Sequence, residues 1–523
     1  MVPTTQEVTL ERAIGRVREP FLVVERPGGG IEFADPDAWD AHRILGYLPA
    51  CRPENLGDIS FCGDYGLRFP YVSGAMANGI GSVEIVEAMG RGGMLGIFGA
   101  AGLSLGRVET ALGRLETSLG QTTAYGVNLI HSPGEPELES AVADLFLQRG
   151  VTLVEASAFL DLTLPIVRYR VKGLKRDRQG RVVASNRVIA KVSRVEVASK
   201  FLAPAPPKYL NALVASGEIS REQAEWASRV PMADDITAEA DSGGHTDNQP
   251  AIVLLPTMIA LRDRLQAQYR FEKTPRIGAA GGISTPWSAA AALAMGAAYL
   301  VTGSVNQACV ESGTSDAVRK MLAQAQQADI AMAPAADMFE MGVKVQVLKR
   351  GTMFAMRGAK LFEIYRANES LESLSEADRS MLEKNLFRAP LEAIWRETQA
   401  FFQKRDPKQI ERALREPKHR MALVFRWYLG LASHWANSGE PSRAVDYQIW
   451  CGPAMAAFND WVKGSFLEAP ENRGVAVVAH NILYGAAVLN RARILAGQGI
   501  PVPPGTPSLV PRELAEIEER IGP

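Results

Sequence analysis

The sequence is short of the groups that staple, ligate or anchor a protein. Its 523 residues hold four cysteines, Cys51, Cys62, Cys309 and Cys451, none in CxxC spacing. That excludes a disulfide scaffold or a zinc ribbon and reads as reduced thiols. The six histidines, at positions 42, 131, 245, 419, 434 and 480, are scattered, so no metal cluster is expected. Neither sign of charge dominates: 57 Lys and Arg against 58 Asp and Glu give a formal net charge of −1. Nucleic acid is therefore not the expected main partner. Long apolar runs are missing too, because Gly and Pro break the Ala-rich segments, and no membrane span or signal peptide is expected. GxSxG, HExxH and P-loop motifs do not occur, and Gly90-Arg91-Gly92-Gly93 reads as a helix C-cap rather than a dinucleotide fingerprint. A cytoplasmic enzyme is the class left standing, large enough for several domains or for one barrel with an appendage.

What is present is a series of short strands, each opening into small residues before a helix. The run Asp235-Ile236-Thr237-Ala238-Glu239-Ala240 alternates like a strand and leads into Gly243-Gly244-His245. Arg276-Ile277-Gly278-Ala279-Ala280 opens into Gly281-Gly282, and Ala298-Tyr299-Leu300-Val301-Thr302 into Gly303-Ser304. Upstream, strands are predicted at 70–76, 94–98, 125–130, 152–157 and 188–193, with helices from Ser82, Ser104 and Pro136 between them. Eight strand–helix units of this kind close an α/β fold, a (β/α)8 TIM barrel, over residues 69–345. The count alone also suits a doubly wound open sheet. Residues 1–68, with turn chemistry at Pro27-Gly28-Gly29-Gly30, read as an N-terminal lead-in. After Ser315 the chain turns helical, and residues 346–523 read as a C-terminal helical domain carrying Trp395, Trp427, Trp435, Trp450 and Trp461.

The glycine loops carry the chemistry. Ala280, Gly281 and Gly282 before a helix near Thr285-Pro286, and Gly303-Ser304 one strand later, offer free backbone N–H groups where barrels bind phosphate. A phosphate there would anchor a cofactor reaching across the barrel mouth. Gly74, Ala75 and Met76 are small enough at the first strand's end to face a flat ring, and Asn128 can hydrogen-bond its edge. Lys191, ending the fifth strand, could place positive charge beside a reduced flavin. His245, held behind Gly243 and Gly244, is the catalytic candidate. Each has a plainer reading: a turn for the glycines, an ion pair for Lys191, a hydrogen-bonded loop residue for His245. Between Arg168 and Lys200 stand eleven Lys or Arg against two acids, around a predicted hairpin 171–184. That stretch is either a solvated hairpin or a docking face for an acidic partner.

These motifs, with Val154-Glu155-Ala156-Ser157-Ala158-Phe159, Pro231-Met232-Ala233-Asp234, Gly303-Ser304-Val305-Asn306-Gln307 and Phe425-Arg426-Trp427-Tyr428, resemble the nitronate monooxygenase and flavin-type enoyl-ACP reductase superfamily. More narrowly, the chain resembles the enoyl reductases of trans-acyltransferase polyketide synthases and polyunsaturated fatty acid synthases. The resemblance covers nearly the whole chain, weakest before Phe21 and after Gly499. It implies non-covalent FMN, reduction by NADPH or NADH, and hydride transfer to a 2-enoyl thioester on an acyl carrier protein. By motif position it makes His245 the first candidate, and Lys191 the second, for placing the thioester or supplying the proton. It also gives the basic hairpin a use, as a site near the barrel mouth for an acidic carrier. A nitronate monooxygenase, a non-catalytic synthase component and a homodimer are left open.

Overall fold

A computed structural model describes residues 8–26, 28–38, 43–120, 123–133 and 135–522. Pro27 of the predicted glycine turn, His42 and the first seven residues lie outside them. Eight parallel strands close a barrel: β1 (Tyr71–Ser73), β2 (Leu95–Phe98), β3 (Gly126–Ile130), β4 (Leu153–Ser157), β5 (Arg187–Val192), β6 (Asp235–Glu239), β7 (Arg276–Ala280) and β8 (Leu300–Thr302). Closure is the pairing of β8 with β1, Leu300 opposite Tyr71 and Thr302 opposite Ser73. The expected strands and the TIM barrel are therefore present, and the open sheet is not. Helices begin where side chains can cap them: the Ser82 side chain accepts from Ile85 N and that of Ser104 from Arg107 N.

Alternate strand residues point inward, and their sizes decide what the interior can hold. The floor is polar but saturated. Arg276 Nε donates to Asp235 Oδ1 at 2.6 Å, and Tyr65 Oη donates to Asp235 Oδ2 at 2.6 Å. Tyr65 belongs to the helix Ile59–Tyr65 of the lead-in, whose Phe61 stacks on Tyr299 with ring centroids 4.2 Å apart. The lead-in thus supplies the barrel's plug. Above it, Tyr299 fills the space that Gly278 leaves, since a Cβ on Gly278 would lie 2.3 Å from the ring.

The region after Ser315 departs from the helical expectation. Helix Asp316–Leu322 is short, and Ile330–Pro334 and Lys344–Leu348 form an antiparallel pair. Gly244–His245 joins that pair as its third strand. Alternation in Lys344-Val345-Gln346-Val347-Leu348 is the local cause, with Val345, Val347 and Leu348 buried. Helices beyond 346 divide between two cores. Those up to Ser438 pack around Phe354, Phe425 and Tyr428, whereas Val475–Gly497 packs with the barrel. That last helix lies on Pro286–Ala294, where a Cβ on Gly485 would come within 2.5 Å of Pro286. It also reaches the N-terminal segment, Tyr484 Oη donating to Gly15 O at 3.0 Å and Arg491 Nη2 to Ala13 O at 2.8 Å. Among the described residues no helix is long and apolar enough to cross a membrane.

Replacing Gly278 with Ala should overpack this layer and lower unfolding free energy by about 1–3 kcal/mol. Urea denaturation measures it, and an unchanged midpoint would show that the Tyr299 ring gives way at no cost.

Candidate active site

The site residues expected from the sequence lie in the C-terminal half of a barrel strand or in the loop after it, at one mouth. After β7 the chain turns through Gly281 at φ +80°, where a Cβ would lie 2.6 Å from the carbonyl of Ala240. Only glycine fits so close a crossing. Among the described residues, the amides of Gly281, Gly282 and Ile283 find no protein acceptor, nor do those of Gly303, Ser304 and Val305 on the neighbouring β8 loop. Because β7 and β8 pair directly, Ala280 opposite Val301, the two sets of amides are neighbours. Ser284, 0% exposed, presents beside them a hydroxyl with no partner among the described residues. Such a cluster of unspent donors at the head of helix Pro286–Ala294 is suited to a phosphate.

Beneath the mouth lies a charged layer. Lys191 Nζ stands 3.4 Å from Glu239 Oε1 and 3.8 Å from Glu155 Oε2, and Glu155 is 1% exposed. Glu155 also accepts from Ala75 N at 3.2 Å. Burial pushes the Glu155 carboxyl above its ordinary range, the Lys191 ammonium pulls it back, and Glu239 adds to the rise. For Lys191 burial acts downward, but the two carboxylates outweigh it and hold the amine charged well above its usual range. Asn128 donates through Nδ2 to Ser157 Oγ at 2.7 Å and to Glu155 O at 3.1 Å. Gly74 donates to Thr302 O at 3.0 Å, and Met76 accepts from Gly81 N at 2.9 Å.

His245 is half-buried on the small sheet, Nε2 donating to Asp337 Oδ1 at 3.1 Å when protonated. Burial lowers its pKa, yet the Asp337 carboxylate, with Glu239, lifts it above the ordinary histidine value. Gly243 lets a strap from residues 450–453 cross beside it: a Cβ there would meet Cys451 N at 2.9 Å and Gly452 N at 3.0 Å. The strap also hands Gly452 N to Ser304 Oγ at 3.3 Å and Cys451 N to Gln346 O at 3.3 Å. Gly244, at φ +82°, faces the Trp450 ring.

Sequence reasoning passed over Glu155, Glu239, Ser284 and Asp337. An acid at an inward position of an apolar strand was the available signal for Glu155, whereas Asp337 lies 92 residues from its partner. The expected place of the basic hairpin, near the mouth, is overturned. Its strands, Leu174–Arg176 and Val182–Ala184, sit beside the N-terminal ends of β3, β4 and β5, opposite the mouth. Most of the stretch's charges are also spent internally, Arg170 on Asp234 at 2.6 Å, Lys172 on Glu218 at 2.5 Å and Arg194 on Asp247 at 2.8 Å.

The crystal structure of the enoyl reductase domain of MlnA, from the macrolactin cluster of Bacillus amyloliquefaciens, is 41% identical to this chain. The match covers 85% of this chain and 99% of that domain, with a TM-score of 0.81. The chain belongs to this family of enoyl reductase domains. The family extends to synthase components. A polyunsaturated fatty acid synthase component of Thraustochytrium sp. is 52% identical over 85% of this chain and 30% of its own length. Polyketide biosynthesis protein PksE of Bacillus subtilis is 47% identical over 84% of this chain and 57% of its own. This chain thus spans less than two thirds of either. Within it, residues 368–447 match the model for the inserted helical domain of [acyl-carrier-protein] S-malonyltransferase.

Replacing Lys191 with Met leaves Glu155 buried opposite Glu239 without a cation. A carboxyl whose folded-state pKa lies above its unfolded value holds more protons folded than unfolded, so stability falls as pH rises through that pKa. The variant's deficit, about 3–5 kcal/mol for a broken buried pair, should be largest near pH 8 and shrink toward pH 5 as Glu155 protonates. Urea titrations at both values test this, and equal deficits would contradict it.

Proposed function

We propose that this chain is an FMN-dependent, NAD(P)H-consuming enoyl reductase of the cytoplasm. It would saturate the 2,3 double bond of an enoyl thioester carried on the acyl carrier protein of a polyketide or polyunsaturated fatty acid synthase. Membership in a family of enoyl reductase domains, matched over 99% of the MlnA domain, carries the reading. The donor set at the mouth fits FMN. Six unspent amides and the orphaned Ser284 hydroxyl suit its terminal phosphate. Gly74, Ala75 and Met76 would face the flat ring, and Asn128 would meet its edge. When bound, FMN supplies two-electron chemistry, hydride arriving from NAD(P)H and leaving to the β-carbon of the enoyl thioester.

The chain's own residues do the remainder. Lys191, held charged by Glu155 and Glu239, keeps an ammonium under the mouth that would offer an N–H donor to negative charge developing there. Protonated His245 engages Asp337 through Nε2, which leaves the Nδ1 proton for the α-carbon. Hydride at the β-carbon and that proton at the α-carbon complete the saturated thioester and balance NAD(P)H oxidation. Segment 69–345 would be the catalytic unit, with 1–68 as its plug and 346–523 as the cover that includes the strap.

Anaerobic mixing of FMN-loaded protein with NADPH and crotonyl-carrier protein tests the reading. The expected result is FMN reoxidation with a product two mass units heavier. A protein that stays colourless with added FMN, or consumes NADPH only with oxygen, would refute it.

His245 should also write its protonation into the pH profile. Its raised pKa keeps the acid form present to higher pH than in a free histidine, and activity should fall as pH rises through that value. Asp337→Asn should move this limb to lower pH, and His245→Gln should lower kcat by about 10²–10⁴-fold and abolish the limb. Stopped-flow reoxidation across pH 5–9 measures both, and a limb that survives in His245→Gln assigns the proton elsewhere.

A further inference from the structure

At the end of the barrel away from the mouth, a cavity of about 390 Å³ opens between the hairpin and the starts of β3, β4 and β5. That volume is in the range of small-ligand sites. Its lining is divided by chemistry. Leu153, Val183 and Ala184 give an apolar side, and Tyr125 adds a ring. The other side carries Lys175 and Arg187, and among the described residues neither stands within 4.0 Å of a carboxylate. Asp64, the acid in this lining, is already engaged by Arg276 Nη1 at 2.6 Å and by Lys273. The Arg187 guanidinium lies over the Tyr65 ring, 4.9 Å from its centroid, so it is held at the wall instead of sweeping through solvent.

We propose that this cavity binds a small organic anion, a phosphate or carboxylate carried on a flat or apolar body. Lys175 and Arg187 take the oxyanion, and the apolar side with Tyr125 takes the body. Burial raises the Tyr125 pKa, with Glu116 adding to it, so its hydroxyl stays protonated and can donate. A merely solvated hairpin has no need of a concavity in which, among the described residues, neither cation is paired with a carboxylate. The mouth is a barrel length away, and barrel enzymes do their chemistry there and not at this end. The site therefore stands apart from the flavin reading and does not depend on it.

Isothermal titration calorimetry on the full chain tests this with three probes: phenyl phosphate, benzoate and inorganic phosphate. Saturable binding of phenyl phosphate or benzoate at about 1 mM or tighter is expected, and the tighter of the two identifies the oxyanion. Either should bind better than inorganic phosphate, which has no body to bury. Lys175→Glu, on the exposed hairpin, should weaken the tighter probe by about tenfold or more, and Arg187→Gln should do likewise. Circular dichroism and the thermal midpoint establish that both variants fold, and Lys175→Glu leaves the core untouched if Arg187→Gln does not fold. No saturable heat up to about 10 mM, unchanged affinity in Lys175→Glu, or equal binding of inorganic phosphate would each overturn the proposal.

Discussion

The ammonium of Lys191, set between two carboxylates, is the interaction on which the mouth depends. Glu155 is buried where a lone carboxylate would be expensive, and Lys191 together with the Ala75 amide makes its charge tolerable. That carboxylate in turn fixes the end of β1, because Ala75 cannot shift without losing its acceptor. Asn128 is oriented by the backbone carbonyl of the same glutamate. The half-buried Lys191 and its partner Glu155 together therefore tie the ends of β1, β3, β4, β5 and β6. The floor repeats the device with Arg276, Asp235 and Tyr65. Between the two ionic layers the interior is filled by rings and aliphatic groups, so the barrel has a solid middle between two polar ends.

Backbone, rather than side chain, makes the other half of the mouth. A Cβ on Gly281 would lie 2.6 Å from the carbonyl of Ala240, so only glycine lets the β7 loop pass there. Gly243 does the same for the strap at Cys451 and Gly452, which reaches Ser304. Residues 148 apart in the chain thus meet on the β8 loop. The helical part is coupled to the barrel through this strap and through the sheet that carries His245 and leads to Asp337.

Much of the barrel was legible because parallel strands buried on both faces give short apolar runs, and their C-terminal ends here open into glycine. β3, for instance, is Gly126–Ile130 against an expected 125–130, and β6 is Asp235–Glu239 against 235–240. Partnerships across the chain were not legible. Nothing near Gly244-His245 announces that two residues will pair with Gln346 and Val345, and without that pairing Asp337 has no visible role. The hairpin's misplacement was avoidable. It precedes β5 directly, so it had to lie at that strand's N-terminal end, and a count of charges obscured what chain order already required.

The strap and the long helix Val475–Gly497 also set a timetable. All eight strands have been synthesised by Thr302, yet the apolar face of helix Pro286–Ala294 waits for a covering that lies far downstream, at Gly485 and its neighbours. Until then a nascent barrel would hold an uncovered flank and an unfinished rim, ready to associate with other sticky surfaces. Gene fusions or truncations that cut after the last strand would freeze the protein in that half-clothed condition.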